Sequence, residues 1–177
     1  MPADSTTPPP PPAFVPPEPT PAARAEVERT RRVVYRMLHI LAGFAGASVL
    51  LGVVLVTFLW QPATAAGRFF NAVGWQFAIW GLIDLVIVAG GLIKSRRAVH
   101  RPLDAEAVTR ETAERQNLLR VLHFNKKLNW MWVGLGVLVL AAGPFVTATA
   151  AVLGHGTGWL IQAGFLFAFD RAFARRV

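Results

Sequence analysis

Residues 40–60 read ILAGFAGASVLLGVVLVTFLW, a stretch of 21 residues without a charge. A helix needs about 20 apolar residues to cross a hydrocarbon core about 30 Å thick, so this stretch is long enough by itself. Its small residues Ala42, Gly43, Gly46 and Ala47 form a stripe along which another helix can approach closely in lipid. The stretch therefore predicts a membrane-spanning helix.

The composition of the whole 177-residue chain agrees, with 54% apolar residues, 16% charged residues and a mean hydropathy of +0.43. Soluble domains carry about 25% charged residues. Apolar segments predict membrane spans at about 33–60, 69–93, 128–152 and 156–174, with tryptophans near the span ends. We therefore predict an all-α fold, an integral membrane four-helix bundle formed by residues 33–177.

Lysine and arginine predict how the helices are threaded. Five lie up to the start of the first span, nine between the second and third spans, and three at the C-terminal end, which leaves one of the 18 for the other two connections. Cytoplasmic segments of membrane proteins carry the excess of Lys and Arg. We therefore expect both termini in the cytoplasm and the protein in the inner, or plasma, membrane.

The segments outside the spans differ from one another. Ten of the 13 prolines lie between Pro2 and Pro21, so residues 1–32 are predicted to be a disordered tail. The tail is expected to act as a tether, and a docking site for a proline-binding domain is the alternative. Residues 102–127 are predicted to form a cytoplasmic helix that leads into the third span, because no helix breaker separates them from Leu128.

Several function classes are not expected. The net charge of +8 is explained by contact with anionic inner-leaflet lipids, so no nucleic-acid partner is needed. The chain has no cysteine, which excludes iron–sulfur clusters, cysteine zinc sites and thiol catalysis. We find no nucleophile–base arrangement and no metal motif, and we read residues 154–158, GHGTG, as a turn. We therefore expect no enzyme activity and no cofactor.

Asp84 is the residue that the sequence singles out. It lies ten residues before Lys94, about 15 Å along a helix and thus near mid-membrane. A central Asp costs about 2.5–3.5 kcal/mol on insertion scales, so we expect it to face the bundle and to bond Gln162. It could be a proton or cation site, or a packing residue that hydrogen-bonds across helices. The candidate intramembrane polar site comprises Asp84, Gln76, Gln162, Asn129, Asp170 and His39.

The sequence also hints at an internal duplication. Arg36-Met37-Leu38-His39 is echoed 84 residues later by Arg120-Val121-Leu122-His123, and Gly74-Trp75 by Gly158-Trp159. Gln76 and Asp84 are eight residues apart, as are Gln162 and Asp170. This pattern suggests two repeats of two helices each, an architecture known in membrane proteins.

A set of short motifs stands out within the apolar segments: Gly74-Trp75-Gln76, Trp80-Gly81-Leu82-Ile83-Asp84, Asn125, Asn129, Gly154-His155-Gly156, Gln162-Ala163-Gly164-Phe165 and Asp170. These motifs resemble those of an uncharacterised family of small bacterial four-helix membrane proteins. The resemblance covers about residues 33–177 and leaves out the proline-rich tail. It implies the architecture and carries no assigned activity.

Two functions are consistent with these observations. The first is a non-enzymatic module that acts by helix packing, with other proteins or with a second copy of itself through the membrane helices. The alternative is a small transporter or channel that uses the intramembrane Asp84 with Gln76 and Gln162. Water distinguishes them, because a transport site is reached from both sides whereas a packing residue stays dry.

The threading can be tested with reporter fusions. Fusions after Thr64 and Gly156 should report an outside location, and a fusion after Ala107 a cytoplasmic one, because basic residues stay inside. A cytoplasmic signal after Gly156 would remove the fourth span and contradict the scheme.

Overall fold

The computed structural model describes residues 18–59, 61 and 63–176, and these residues form α-helices and no strands. The helices are α1, Pro21–Phe58; α2, Ala65–Val99; α3, Ala105–Ala142; and α4, Thr149–Ala174. Each of them is long and apolar enough to cross a membrane. The predicted all-α fold of four membrane-spanning helices is confirmed.

Side-chain caps set the starts of α1, α2 and α3. The Thr20 hydroxyl accepts a hydrogen bond from the Ala23 amide at 3.2 Å, and the Asp104 carboxylate accepts one from the Ala107 amide at 2.7 Å. Proline is favoured at the first position of a helix, where its missing N–H costs nothing, and Pro21 occupies that position. Residues 21–32 are therefore helical, which corrects the predicted disorder there, and residues 1–17 lie outside the described residues.

Helices α1 and α3 are longer than a bilayer core is thick, and ion pairs join their N-terminal parts. At 1.5 Å per residue each helix is about 57 Å long. Arg31 Nε donates to Glu111 Oε2 at 2.7 Å, and a second guanidinium nitrogen donates to the other carboxylate oxygen. This hydrogen bonding raises the pKa of Arg31 above its ordinary value. Arg115 pairs with Glu26 in the opposite direction, so both helices contribute a cation and an anion.

The connection between α3 and α4 lies earlier than predicted. Helix α3 ends at Ala142, a short 3-10 turn occupies Gly143–Phe145, and α4 runs from Thr149 through residues 154–158. Pro144 has no N–H for the helical hydrogen-bond ladder, which explains the break. The predicted third span to 152, the fourth span from 156 and the turn at 154–158 were wrong in these bounds. A topology reporter is better inserted at Val146, in the connection itself.

Close helix contacts occur at glycines, although not at those expected in α1. Gly43 and Gly46 have open space where a Cβ would lie, so the predicted stripe does not pack against described residues. The contact lies instead along Ala45, Ser48 and Gly52, all of which are buried. A Cβ on Gly81 of α2 would lie 2.9 Å from the Ala45 carbonyl oxygen, so only glycine permits this approach.

The helix bounds support the duplication. The first residues of α1 and α3, the last residues of those helices and the first residues of α2 and α4 are each 84 positions apart. Helix α1 packs on α2, α3 packs on α4, and the two hairpins meet mainly through α2 and α4. Arg31 and Arg115, which form the opposed ion pairs, also stand 84 positions apart.

The glycine contact predicts a contrast between two alanine substitutions in α2. Gly81→Ala should lower the free energy of unfolding by about 1–3 kcal/mol, because the new methyl group meets backbone atoms of α1. Gly90→Ala is the matched control, because nothing lies within 4 Å of a Cβ there. It should leave stability unchanged or raise it by up to about 1 kcal/mol through helix propensity. Unfolding in mixed detergent micelles measures both, and equal stabilities would contradict the contact.

Candidate intramembrane polar site

A cavity of about 230 Å³ lies between α2, α3 and α4, and Leu41 of α1 completes its wall. Among the described helices, α2 and α3 share no extended interface, so the cavity occupies the space between the two hairpins. Most of the residues that line it are apolar, and five are polar. These polar residues are Asp84, Asn125, Asn129, Gln162 and Asp170.

Four of these polar side chains are removed from the surface. Asp84 is 8% exposed, Asn129 6%, Gln162 4% and Asp170 6%. They come from three helices, α2, α3 and α4, and so they meet only when the bundle is assembled. The cavity therefore brings together four of the six residues of the predicted site.

The hydrogen bonds within this group are incomplete. Asn129 Nδ2 donates to Asp170 Oδ2 at 3.0 Å. Asp84 Oδ2 and both side-chain polar atoms of Gln162 are buried without a hydrogen-bond partner. The predicted bond between Asp84 and Gln162 is therefore absent, because both side chains line the cavity without reaching each other.

Gln76 lies beside the cavity and links two helices. Its amide nitrogen is 2.8 Å from His155 Nδ1 of α4, and its amide oxygen accepts a hydrogen bond of 2.9 Å from Trp80 Nε1. Trp80 lines the cavity, so Gln76 acts on the site by holding that indole. His155 was missed because its glycine-rich neighbourhood was read as a turn. Its spacing of seven residues from Gln162 is the helical signal that could have revealed it.

His39 does not belong to the site. Its side chain is exposed, and its Nδ1 lies 2.8 Å from the carbonyl oxygen of Tyr35, one turn earlier in α1. Such a bond ties the ring to its own helix, so His39 is not available as a partner for Asp84. The inclusion of His39 in the predicted site was wrong.

Three indoles form one side of the cavity. The ring centroids of Trp80 and Trp132 are 5.8 Å apart, and those of Trp132 and Trp159 are also 5.8 Å apart. The Trp80–Trp132 pair is edge-to-face, an arrangement that is favourable at this distance. The sequence indicated tryptophans near the span ends, and the structure shows that two tryptophans, Trp132 and Trp159, also line the cavity.

The ionisable side chains that line the cavity are all acidic. The cavity is lined by two carboxyl groups, Asp84 and Asp170, and by no lysine, arginine or histidine of the described residues. No ion pair to either carboxyl group occurs in the described part of the chain. Two ionised carboxylates in such a site need compensating positive charge, which protons or a bound cation can supply.

Four long apolar helices with buried polar side chains between them define a multi-pass helical membrane protein. The chain belongs to a family of unknown function, DUF6992, whose match covers residues 40–171. No curated protein and no solved structure matches the chain. The matched range contains every polar residue of the cavity, so the family relationship covers the site as well as the spans.

The hydrogen-bond pattern predicts which polar substitutions reduce stability. Asn129→Leu should lower the free energy of unfolding by about 0.6–1.7 kcal/mol, the range for side-chain hydrogen bonds in membrane proteins, because Asp170 loses its partner. Asp84→Leu removes no hydrogen bond at Oδ2 and should lower the free energy of unfolding by less than Asn129→Leu does. Thermal unfolding in detergent compares them. A larger loss for Asp84→Leu would mean that Asp84 has a structural partner after all.

Proposed function

We propose that this protein carries protons or a small cation across the membrane through the cavity between α2, α3 and α4. The observation that supports this most strongly is Asp84, a buried carboxyl group with no ion pair among the described residues, in a cavity that a second buried carboxyl group, Asp170, also lines. A cavity of about 230 Å³ far exceeds the roughly 10–15 Å³ that one water molecule needs. The site therefore has room for a hydrated proton carrier or for a solute.

Asp84 is the central residue of the proposal. If it served only to join helices, its oxygens should be paired, because leaving a buried polar atom unsatisfied costs about 1–3 kcal/mol. Asp84 Oδ2 is buried without a partner, and so are both amide atoms of Gln162. These free groups favour binding of a solute over a packing role.

Asp170 connects the cavity to one end of the bundle. It lines the intramembrane cavity and also a second cavity of about 270 Å³, whose other residues include His123, Lys126 and Arg171. A proton or cation leaving Asp84 toward this end therefore passes Asp170. Asn129 orients Asp170 through its hydrogen bond.

The competing function, an interaction module that works by helix packing, has less support. The stripe of small residues in α1 stays open at Gly43 and Gly46, but nothing in the described part of the chain indicates what would cover it. The glycines that do permit close approach, such as Gly81 and Gly158, are used inside the chain. They explain the stability of the bundle without requiring a partner protein.

Threading and surroundings complete the proposal. The ion-paired ends of α1 and α3 are proposed to lie in the cytoplasm, since nearly all lysines and arginines flank that end of the predicted spans. Anionic lipids of the inner leaflet of the plasma membrane are the proposed partners of these residues. The proposed function involves no enzymatic reaction.

Flux measurements on the full chain in proteoliposomes test this function. With a pH gradient or a potassium gradient imposed, wild-type protein should give a flux that Asp84→Asn lowers at least tenfold, because the substituted amide cannot take up a proton or balance a cation. Glu114→Gln is the matched control, since it removes an acid at the exposed pair with Lys94 and should keep the flux. Equal flux in wild type and Asp84→Asn, or no flux in wild type, would overturn the proposal.

A further inference from the structure

We infer that the cavity binds a hydrophobic organic ammonium ion, which enters sideways from the lipid between α2 and α3. This inference rests on the proposed function and specifies the class of cation. A small ammonium compound with an aromatic or aliphatic body fits the two kinds of side chain that line the cavity: carboxyl and amide groups, and indoles with aliphatic side chains.

The apolar part of the wall argues against a hydrated inorganic ion as the main ligand. Trp80, Trp132 and Trp159 line the cavity together with several leucines and isoleucines. A hydrated ion gains nothing from such surfaces, whereas an organic cation buries its carbon atoms against them. The cavity volume of about 230 Å³ lies below the roughly 300–1,000 Å³ of drug-sized sites, so the ligand is small.

The indoles also recognise charge. A cation is attracted to the face of an aromatic ring, most strongly to tryptophan, and quaternary ammonium groups are bound by such rings in aromatic cages. Trp80 is held in place by its hydrogen bond to Gln76, which is in turn bonded to His155. This fixed orientation reduces the entropy that binding must overcome.

The route of entry follows from the helix contacts. Helices α2 and α3 share no extended interface, and the ring contact of Trp80 with Trp132 bridges the space between them. Ile83 and Ile87 of α2 line the cavity and are 42% and 62% exposed, so in a membrane they also contact lipid. A hydrophobic cation that partitions into the bilayer can therefore reach the carboxyl groups without crossing the aqueous ends.

Benzyltrimethylammonium is a suitable probe, because its uncharged carbon analogue, neopentylbenzene, has nearly the same shape. Titration of the full-length protein in nanodiscs, followed by tryptophan fluorescence and calorimetry, should show saturable binding of the ammonium compound. The carbon analogue should bind at least tenfold more weakly. Equal binding of both compounds would overturn the inference, since it would show an apolar pocket without charge recognition.

Two substitutions locate the binding. Asp84→Asn should weaken benzyltrimethylammonium binding at least tenfold through loss of the charge. Trp132→Leu should weaken it about fivefold through loss of a ring face. Trp130→Leu is the matched control, because Trp130 contacts Phe167 and is absent from the cavity wall. Equal effects of the two tryptophan substitutions would refute the aromatic site.

The outcome separates this inference from the proposed function. Flux that depends on Asp84, without binding of benzyltrimethylammonium, overturns the organic ligand and leaves proton or inorganic cation transport supported. Binding that depends on Asp84, without any flux, supports the ligand class and overturns transport. Absence of both flux and binding overturns the two together.

Discussion

The structure depends on how closely the helices can approach one another at their contacts. In lipid the hydrophobic effect does not drive helices together, so association relies on packing and on interhelical hydrogen bonds. Glycine permits the approach of α1 to α2 at Gly81, of α3 to α4 at Gly136 and of α2 to α4 at Gly158, where a Cβ would lie 3.0 Å or less from atoms of the opposite helix. These contacts fix three sides of the bundle. Helix α3 makes no such contact with α1 or α2 among the described residues, and the cavity lies where α2, α3 and α4 meet.

The arrangement of the two hairpins explains why the site is placed where it is. Each hairpin is closed by its own glycine contacts, and the hairpins then meet through α2 and α4, the second helix of each hairpin. Asp84 and Asp170 belong to these second helices and face the same cavity. Sites at the interface of repeats are common in membrane transporters. The opposed ion pairs of Arg31 and Arg115 hold the hairpins together at one end, so the cavity between them does not need to be closed by packing.

Sequence reasoning predicted the fold well because hydropathy and length are sufficient for spanning helices. Sequence reasoning was wrong at glycines, because glycine occurs both in turns and at close contacts between helices. Residues 154–158 look like a turn, yet Gly154 and Gly158 are helical, and a Cβ there would meet α2, with Ala72 Cβ at 2.8 Å and Gln76 Cβ at 2.7 Å. Gly43 and Gly46 look like a packing stripe and contact no described helix. The polar site was predicted from the cost of placing polar residues in lipid. The predicted bond between Asp84 and Gln162 was wrong because hydropathy and spacing do not reveal the distance between two helices.

The buried polar residues differ in whether they have hydrogen-bond partners, and this difference bears most directly on function. The bundle satisfies Asp170 with Asn129, which shows that this packing can supply a partner to a buried carboxyl group. It supplies none to Asp84 Oδ2 or to the Gln162 amide, although all four side chains line one cavity. A role in folding alone would favour an apolar residue at position 84, since a central Asp costs about 2.5–3.5 kcal/mol on insertion and gains no bond at Oδ2 in return. The cost is understandable if Asp84 acts on something that enters the cavity, and its buried position without a counter-charge makes a cation the natural occupant.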